Sequence, residues 1–277
     1  MGWSGAFELV EPYVVKIATP AGTGTGFLFA YNADKSMVGI ATALHVVDEA
    51  NQWRQPVKVI HVKSGKELFL DRGERAILVD YQRDSAAILV GTAAITAAGL
   101  PVPDSMLPML PSDKVKKIGV SLAWAGYPAI APNTLCLFQG GVSAFNDKDD
   151  SYYIDGVAIN GVSGGPVFDN VGDKVQIVGI VSAYHYNRQT GGNLPGLLMA
   201  HDATHLNQIV EGLRTLDEAK AKAQQDALKE SEKEASTTVG PLEPGTSRQD
   251  SGQATPGPDE PRSHKKRRGK PPVATTA

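Results

Sequence analysis

The stretch G-V-S-G-G-P-V-F-D, residues 161–169, sets one serine among three glycines and follows them with a proline. A serine hydroxyl is almost un-ionised near neutral pH, so it attacks only when a base takes its proton as it moves. Small neighbours would let other backbone come close to that hydroxyl. Taken alone, such a stretch is a loop more often than a nucleophile. Its meaning therefore depends on partners elsewhere in the chain.

Two arrangements place a serine within G-x-S-x-G. In a hydrolase elbow the serine opens a helix, and the acid and histidine follow it in the chain. Here another β-type run follows, and barely enough chain remains after His185, His201 and His205 to complete such a sheet. The other order is histidine, acid, serine. I-A-T-A-L-H-V-V, residues 40–47, carries His45 at the close of an apolar run, and R-D-S-A-A-I-L-V, residues 83–90, carries Asp84 at the mouth of another. The order His45, Asp84, Ser163 fits this second arrangement. Asp80 is a rival acid without the same context, and the remaining histidines, including His61, read as structural.

The elements that would hold these residues are β-type. From about Phe7 to Leu213, short Val- and Ile-rich runs such as Y-V-V-K-I, G-F-L-F-A and V-Q-I-V-G-I-V-S-A are broken by turn residues. They lie too close together for crossover helices, which predicts an all-β barrel or sandwich. The Pro-rich stretch 100–111 divides this region into near halves and reads as a connector. Leu206, Ile209, Val210 and Leu213 recur at helical spacing and predict a docked helix over 202–213. Residues 214–235 read as a solvated helix, and residues 236–277 as a disordered tail containing the basic run H-K-K-R-R-G-K, 264–270.

Five blocks in order carry a family resemblance. T-G-T-G-F-L-F (23–29) resembles the G-S-G-F strand of the trypsin-like, chymotrypsin-fold serine peptidases of the bacterial HtrA/DegP-like branch. T-A-L-H-V-V resembles that branch's T-N-x-H-V-V, and D-S-A-A-I-L its D-x-A-x-L. Y-I-D-G-V-A-I-N-G-V-S-G-G-P-V (153–167) and V-G-I-V-S-A (178–183) resemble its nucleophile block and the substrate strand after it. The likeness spans about residues 8–213 and implies two six-stranded antiparallel β-barrels (about 8–100 and 112–200) with a C-terminal helix.

It further implies a serine endopeptidase acting on protein or peptide substrates. His45 would be the base, Asp84 its orienter and Ser163 the nucleophile, with an oxyanion hole from the Gly161 and Ser163 N–H groups. Val157 would floor the pocket for the substrate's P1 side chain, between walls of Ser182, Ala183, Tyr184 and of Leu198 and Met199. That apolar lining implies small or medium apolar P1 residues. Val162 departs from the family's Asn or Asp before the serine. No PDZ domain is expected after Leu213, and no activating cleavage. A catalytically silent binding protein of the same fold is the alternative.

Composition limits the rest. A net charge of −3 gives no bulk attraction to nucleic acid or membrane, which leaves nucleic-acid or partner contact to the basic run 264–270. No apolar run is long enough to span a bilayer. The single cysteine, Cys136, excludes an internal disulfide, reads as a buried small hydrophobe and points to a cytoplasmic setting. No metal or other cofactor is expected.

Overall fold

The computed structural model describes residues 1–157, 159–186 and 193–238, without the side chains of 183–186, 193–195 and 233–238. Residues 239–277, with the basic run and all but the first three residues of the expected tail, lie outside that description; those three belong to the end of a helix. The chain divides into two compact units, Met1–Leu228 and Lys229–Ala277.

The first unit is chymotrypsin-like. Its first half holds α1 (Trp3–Val10), β1 (Val14–Thr19), β2 (Gly22–Tyr31), β3 (Met37–Ala43), α2 (Leu44–Gln52), β4 (Val57–His61), β5 (Lys66–Leu70), β6 (Arg75–Asp80), β7 (Ser85–Gly91) and α3 (Thr92–Ala97). The second half holds β8 (Ser121–Gly126), β9 (Cys136–Asn146), β10 (Ser151–Asp155), β11 (Pro166–Val171), β12 (Lys174–Tyr186) and β13 (Asn193–Asp202), and α4 (Thr204–Thr238) follows.

The second half closes as a six-stranded barrel, β10-β13-β12-β11-β8-β9. Its long strands bend where the register shifts, between Val167 and Phe168 and again between Val181 and Ala183. Such bulges increase local twist and let a sheet curl onto itself. The first half differs from the expected six-stranded closure. It is a seven-stranded sheet, β5-β4-β1-β2-β3-β7-β6, whose edges do not pair. A capped turn at Asp71–Glu74 separates β5 from β6, the two edge strands. The Arg75 guanidinium then donates to the Leu70 and Gln55 carbonyls, so a side chain bridges there in place of a ladder.

Three apolar clusters hold these layers. One fills the first sheet around Ile17, Ile40 and Ile88, and one fills the closed barrel around Trp124, Tyr152 and Ile154. The third lies along the seam and joins Phe27 and Phe29 to Tyr127, Phe168 and Ile177. Helix α1 docks on this seam through fully buried Ala6 and Val10, with Trp3 edge-on to Phe168 at 6.2 Å. The Pro-rich connector ends by pairing with β12: the Leu110 N–H donates to Ile177, and the Ile177 N–H to Pro108.

On α4 the expected stripe is buried at Leu206, Ile209 and Leu213, and the helix continues without a break through the solvated stretch. His205, in its first turn, is also buried, its Nδ1 2.8 Å from the Ser85 hydroxyl on β7. Burial pushes the His205 pKa below its ordinary 6.5; Asp80 opposes the shift and Arg83 adds to it. The folded protein thus takes up this proton less readily than the unfolded chain does. The stability His205 contributes is complete above 6.5 and declines as pH falls below it. The melting temperature should therefore drop between about pH 7.5 and about pH 5, and less steeply in His205→Gln, which lacks a titrating ring. Parallel thermal melts of the two proteins check this; identical slopes would contradict it.

Candidate active site

His45 stands in the first turn of a helix, where an apolar strand end was expected. Leu44, Val47 and Ala50 bury one face of α2, which leaves His45 at the surface, its side chain 51% exposed. The first N–H groups of a helix have no partner within it. Ala43, at the N-cap, supplies no side-chain acceptor. Asp84 does so from the turn between β6 and β7: its carbonyl accepts the Leu44 N–H at 2.9 Å and its Oδ1 the His45 N–H at 3.0 Å.

The second oxygen of the same carboxylate lies 2.7 Å from His45 Nδ1. With the proton on Nδ1 facing the carboxylate, Nε2 remains as the acceptor. Asp84 Oδ2 also accepts the Ser182 hydroxyl, at 2.5 Å. Burial presses the Asp84 pKa upward. Hydrogen bonding and charge from His45, with the Ser182 hydrogen bond, outweigh burial and hold the carboxyl below its ordinary 3.8. The backbone at Asp84 is left-handed, φ 43°, which only Gly, Asn and Asp adopt readily.

Asp80 takes no part in this arrangement. It accepts from Arg83 at 2.8 Å, and Arg83 reaches across the seam to Asp150 with Nε at 3.1 Å and with Nη2. His61 and His201 are engaged by Ser64 and by the Asp149 carbonyl. The His185 side chain lies outside the described residues. Cys136 is half-exposed at the start of β9, which corrects the expectation of a buried thiol.

Ser163 comes from the other half of the fold. It lines a cleft of about 240 Å³ together with His45, Val46, Asn160, Gly161 and the β1–β2 turn. Gly161 (φ 92°) and Gly164 (φ 88°) have left-handed backbone on either side of it. Val162 is 1% exposed and is packed into the closed barrel's core. The N–H groups of Val162, Gly164 and Gly165 donate to Ile159, Val181 and Val162. Among the described residues, no hydrogen bond takes up those of Gly161 and Ser163.

The residues expected around P1 separate. Val157 is 48% exposed, while Leu198 is buried in the barrel core. Met199 is half-buried. Ser182 turns its hydroxyl to Asp84, a role its place in V-G-I-V-S-A did not announce. Ala183 and Tyr184 pair through their backbone with Met199 and Leu198, and their side chains are outside the described residues. Among the described residues no cluster of His, Cys, Asp or Glu could hold a metal, and no helix is long and apolar enough to cross a membrane.

The chain matches the trypsin-like peptidase domain model over residues 24–180. No curated protein matches it in sequence. Among solved structures it is similar to the Rv3671c protease from M. tuberculosis H37Rv in an inactive form, at 21% identity and TM-score 0.52, covering 75% of this chain and 92% of that one. An inactive serine-to-alanine mutant of that protein gives the same identity and score, with 89% of it covered. It is also similar to the serine endoprotease from Yersinia pestis, at 20% identity and TM-score 0.55, covering 77% of this chain and 66% of that one.

A Cβ added at Gly164 would lie 2.1 Å from the Thr25 carbonyl oxygen and 2.3 Å from the Thr42 hydroxyl, on backbone that alanine adopts poorly. Gly164→Ala should cost about 2–5 kcal/mol, a melting-temperature loss of roughly 5–15 °C. A variant melting within about 1 °C of the parent in calorimetry would show the loop to be more yielding than this. With its two-part β architecture, its His45–Asp84 pair and a family match across more than half its length, the chain belongs to the trypsin-like serine peptidases.

Proposed function

We propose that the chain is a serine endopeptidase in which Ser163 is the nucleophile, His45 the general base and acid, and Asp84 the orienter. The observation that carries this reading is the 2.7 Å contact of Asp84 with His45 Nδ1, in a cleft that His45 shares with Ser163. His45 Nε2 takes the proton as Ser163 Oγ bonds to the scissile carbonyl carbon. The carbonyl oxygen gains the negative charge and is met by the Gly161 and Ser163 N–H groups. When the C–N bond breaks, the proton passes from Nε2 to the leaving amine, and water repeats the sequence on the acyl-serine. Asp84 keeps its charge throughout and stabilises the imidazolium. No metal or other cofactor is required.

Blocks 23–29 and 153–167 place the chain nearest the HtrA-like branch in this reading, and its lone cysteine suits a reducing, cytoplasmic setting. The domain limits proposed are 1–213 for the peptidase and 214–235 for the solvated helix. The segment from residue 236 onward is proposed as a tail whose basic run offers contact with nucleic acid or a partner. The proposed P1 preference is small or medium apolar. Val157 offers no carboxylate to a P1 Lys or Arg, and desolvating that charge without a partner costs several kcal/mol.

Labelling by a serine-reactive fluorophosphonate and cleavage of casein should both occur in the parent and vanish in Ser163→Ala, whose far-ultraviolet circular dichroism should match the parent's. An unlabelled but folded parent would instead favour a silent binding protein. Peptides differing only at P1 then test the pocket: Leu, Val or Ala should be cleaved ~10-fold or more faster than Arg. Faster cleavage after Arg would overturn the assignment of Val157.

A further inference from the structure

The T-G-T-G-F run is more than an opening strand. Thr25, in β2, is fully buried although it is polar. It lies one residue past the Gly26–Thr42 pair of the β2–β3 ladder, so β3 does not take its N–H. That N–H donates to the Ser163 carbonyl at 2.8 Å. The Thr25 hydroxyl donates to the Gly161 carbonyl at 2.7 Å and accepts the Tyr127 N–H at 3.0 Å. Its own carbonyl is held by the Thr42 hydroxyl at 2.7 Å. One residue of the first sheet thus grips the carbonyls of both residues whose N–H groups have no partner among the described residues, and ties them to the end of β8.

The geometry matters because Gly161 cannot set its own direction. At φ 92° a glycine has little steric resistance to rotating the peptide planes on either side. The plane before it is held by the Ala129 N–H, which donates to the Asn160 carbonyl at 2.7 Å. The plane after it is held at both ends, its carbonyl by the Thr25 hydroxyl and its Val162 N–H by the Ile159 carbonyl at 3.1 Å, and of these only the Thr25 bond comes from the first sheet. Valine has nearly the shape of threonine but leaves the Gly161 carbonyl and the Tyr127 N–H without that partner.

We infer that Thr25 is a positioning residue for the Gly161 N–H of the oxyanion hole: from the first sheet its hydroxyl fixes the Gly161 carbonyl, and with it the rotation at Gly161 that would turn that N–H away. This rests on the serine-peptidase reading. The hydroxyl touches no reacting atom, so its effect is expected on charge stabilisation in the transition state and not on the affinity for substrate.

The test compares the parent with Thr25→Val, Thr25→Ala and Thr25→Ser, each assayed well below its own melting temperature. Thr25→Val should lower kcat by ~10–10²-fold with KM within about threefold. Inhibition by a peptide aldehyde, whose hemiacetal carries the oxyanion, should weaken by a similar factor, while a non-covalent product peptide binds as before. Thr25→Ser, which keeps the hydroxyl, should recover to within about threefold of the parent. If Thr25→Val does not fold, Thr25→Ala against Thr25→Ser gives the same contrast. An unchanged kcat in the hydroxyl-less variants, or a loss equally severe in Thr25→Ser, would overturn the inference while leaving the peptidase reading intact. A parent that neither labels nor cleaves would defeat both.

Discussion

The Asp84 carboxylate is the acceptor around which the active-site side of the molecule is arranged. Its carbonyl and carboxylate together satisfy two first-turn N–H groups of α2, the His45 ring and the Ser182 hydroxyl. The helix that carries His45 therefore starts where it does because Asp84 is there. Anions near a helix N-terminus are also favoured by the helix dipole. One group fixes where the imidazole sits, which nitrogen carries the proton and how β12 meets the first sheet. The left-handed backbone at Asp84 is tolerated because so many contacts determine its place.

Cohesion and register across the seam come from different interactions. The apolar cluster that joins Phe27, Phe29, Tyr127, Phe168 and Ile177 supplies attraction that has no direction. A neutral hydrogen bond adds only about 1 kcal/mol net, but it fixes an angle and a distance. The polar seam contacts fall where register matters: Thr25 to the Gly161–Ser163 loop, Ser182 to Asp84, and Arg83 to Asp150. Arg83 and Asp150 are mostly buried, where losing one partner of a charge pair costs far more than the pair contributes. The turn bearing Asp84 is thus also held from the second half of the fold, through Asp150.

Much of this was legible in the sequence because strands leave a local signature. The Val/Ile runs became β1, β2, β7 and β12, and the four-residue stripe of α4 docked as its period required. The blocks holding His45, Asp84 and Ser163 could be read in order because crowding keeps their residues small, although the atoms that crowd Gly164 belong to Thr25 and Thr42, far away in the chain. Helix α1 was hidden: Trp3, Ala6, Phe7 and Val10 have helical spacing, but the run is too short to declare itself against β-type neighbours. Helix α2 was hidden for another reason, since its acceptor is 39 residues away. The edge of the first sheet is bridged by the Arg75 side chain, which reaches the Leu70 carbonyl nearby and the Gln55 carbonyl 20 residues earlier, and the orientation of Ser182 depends on a partner 98 residues earlier. Apart from α1, what escaped the sequence is what polar contacts between separate elements decide.

Val162 bears on how the loop that carries Ser163 stays ordered. The resembled family usually has Asn or Asp before the serine; here the side chain is apolar and buried among the closed barrel's core residues. A buried carboxylate would need a cation or several donors to offset its desolvation, and its protonation would make the loop sensitive to pH. Valine anchors the same turn by packing, with no charge to satisfy and none to lose. The glycines on both sides still demand external restraint, since packing at one side chain does not orient neighbouring peptide planes. That restraint comes from Thr25, Ala129 and Val181 through hydrogen bonds between groups that do not titrate near neutral pH. The loop's order is thereby separated from the proton transfer proposed for His45 and the carboxylate beside it.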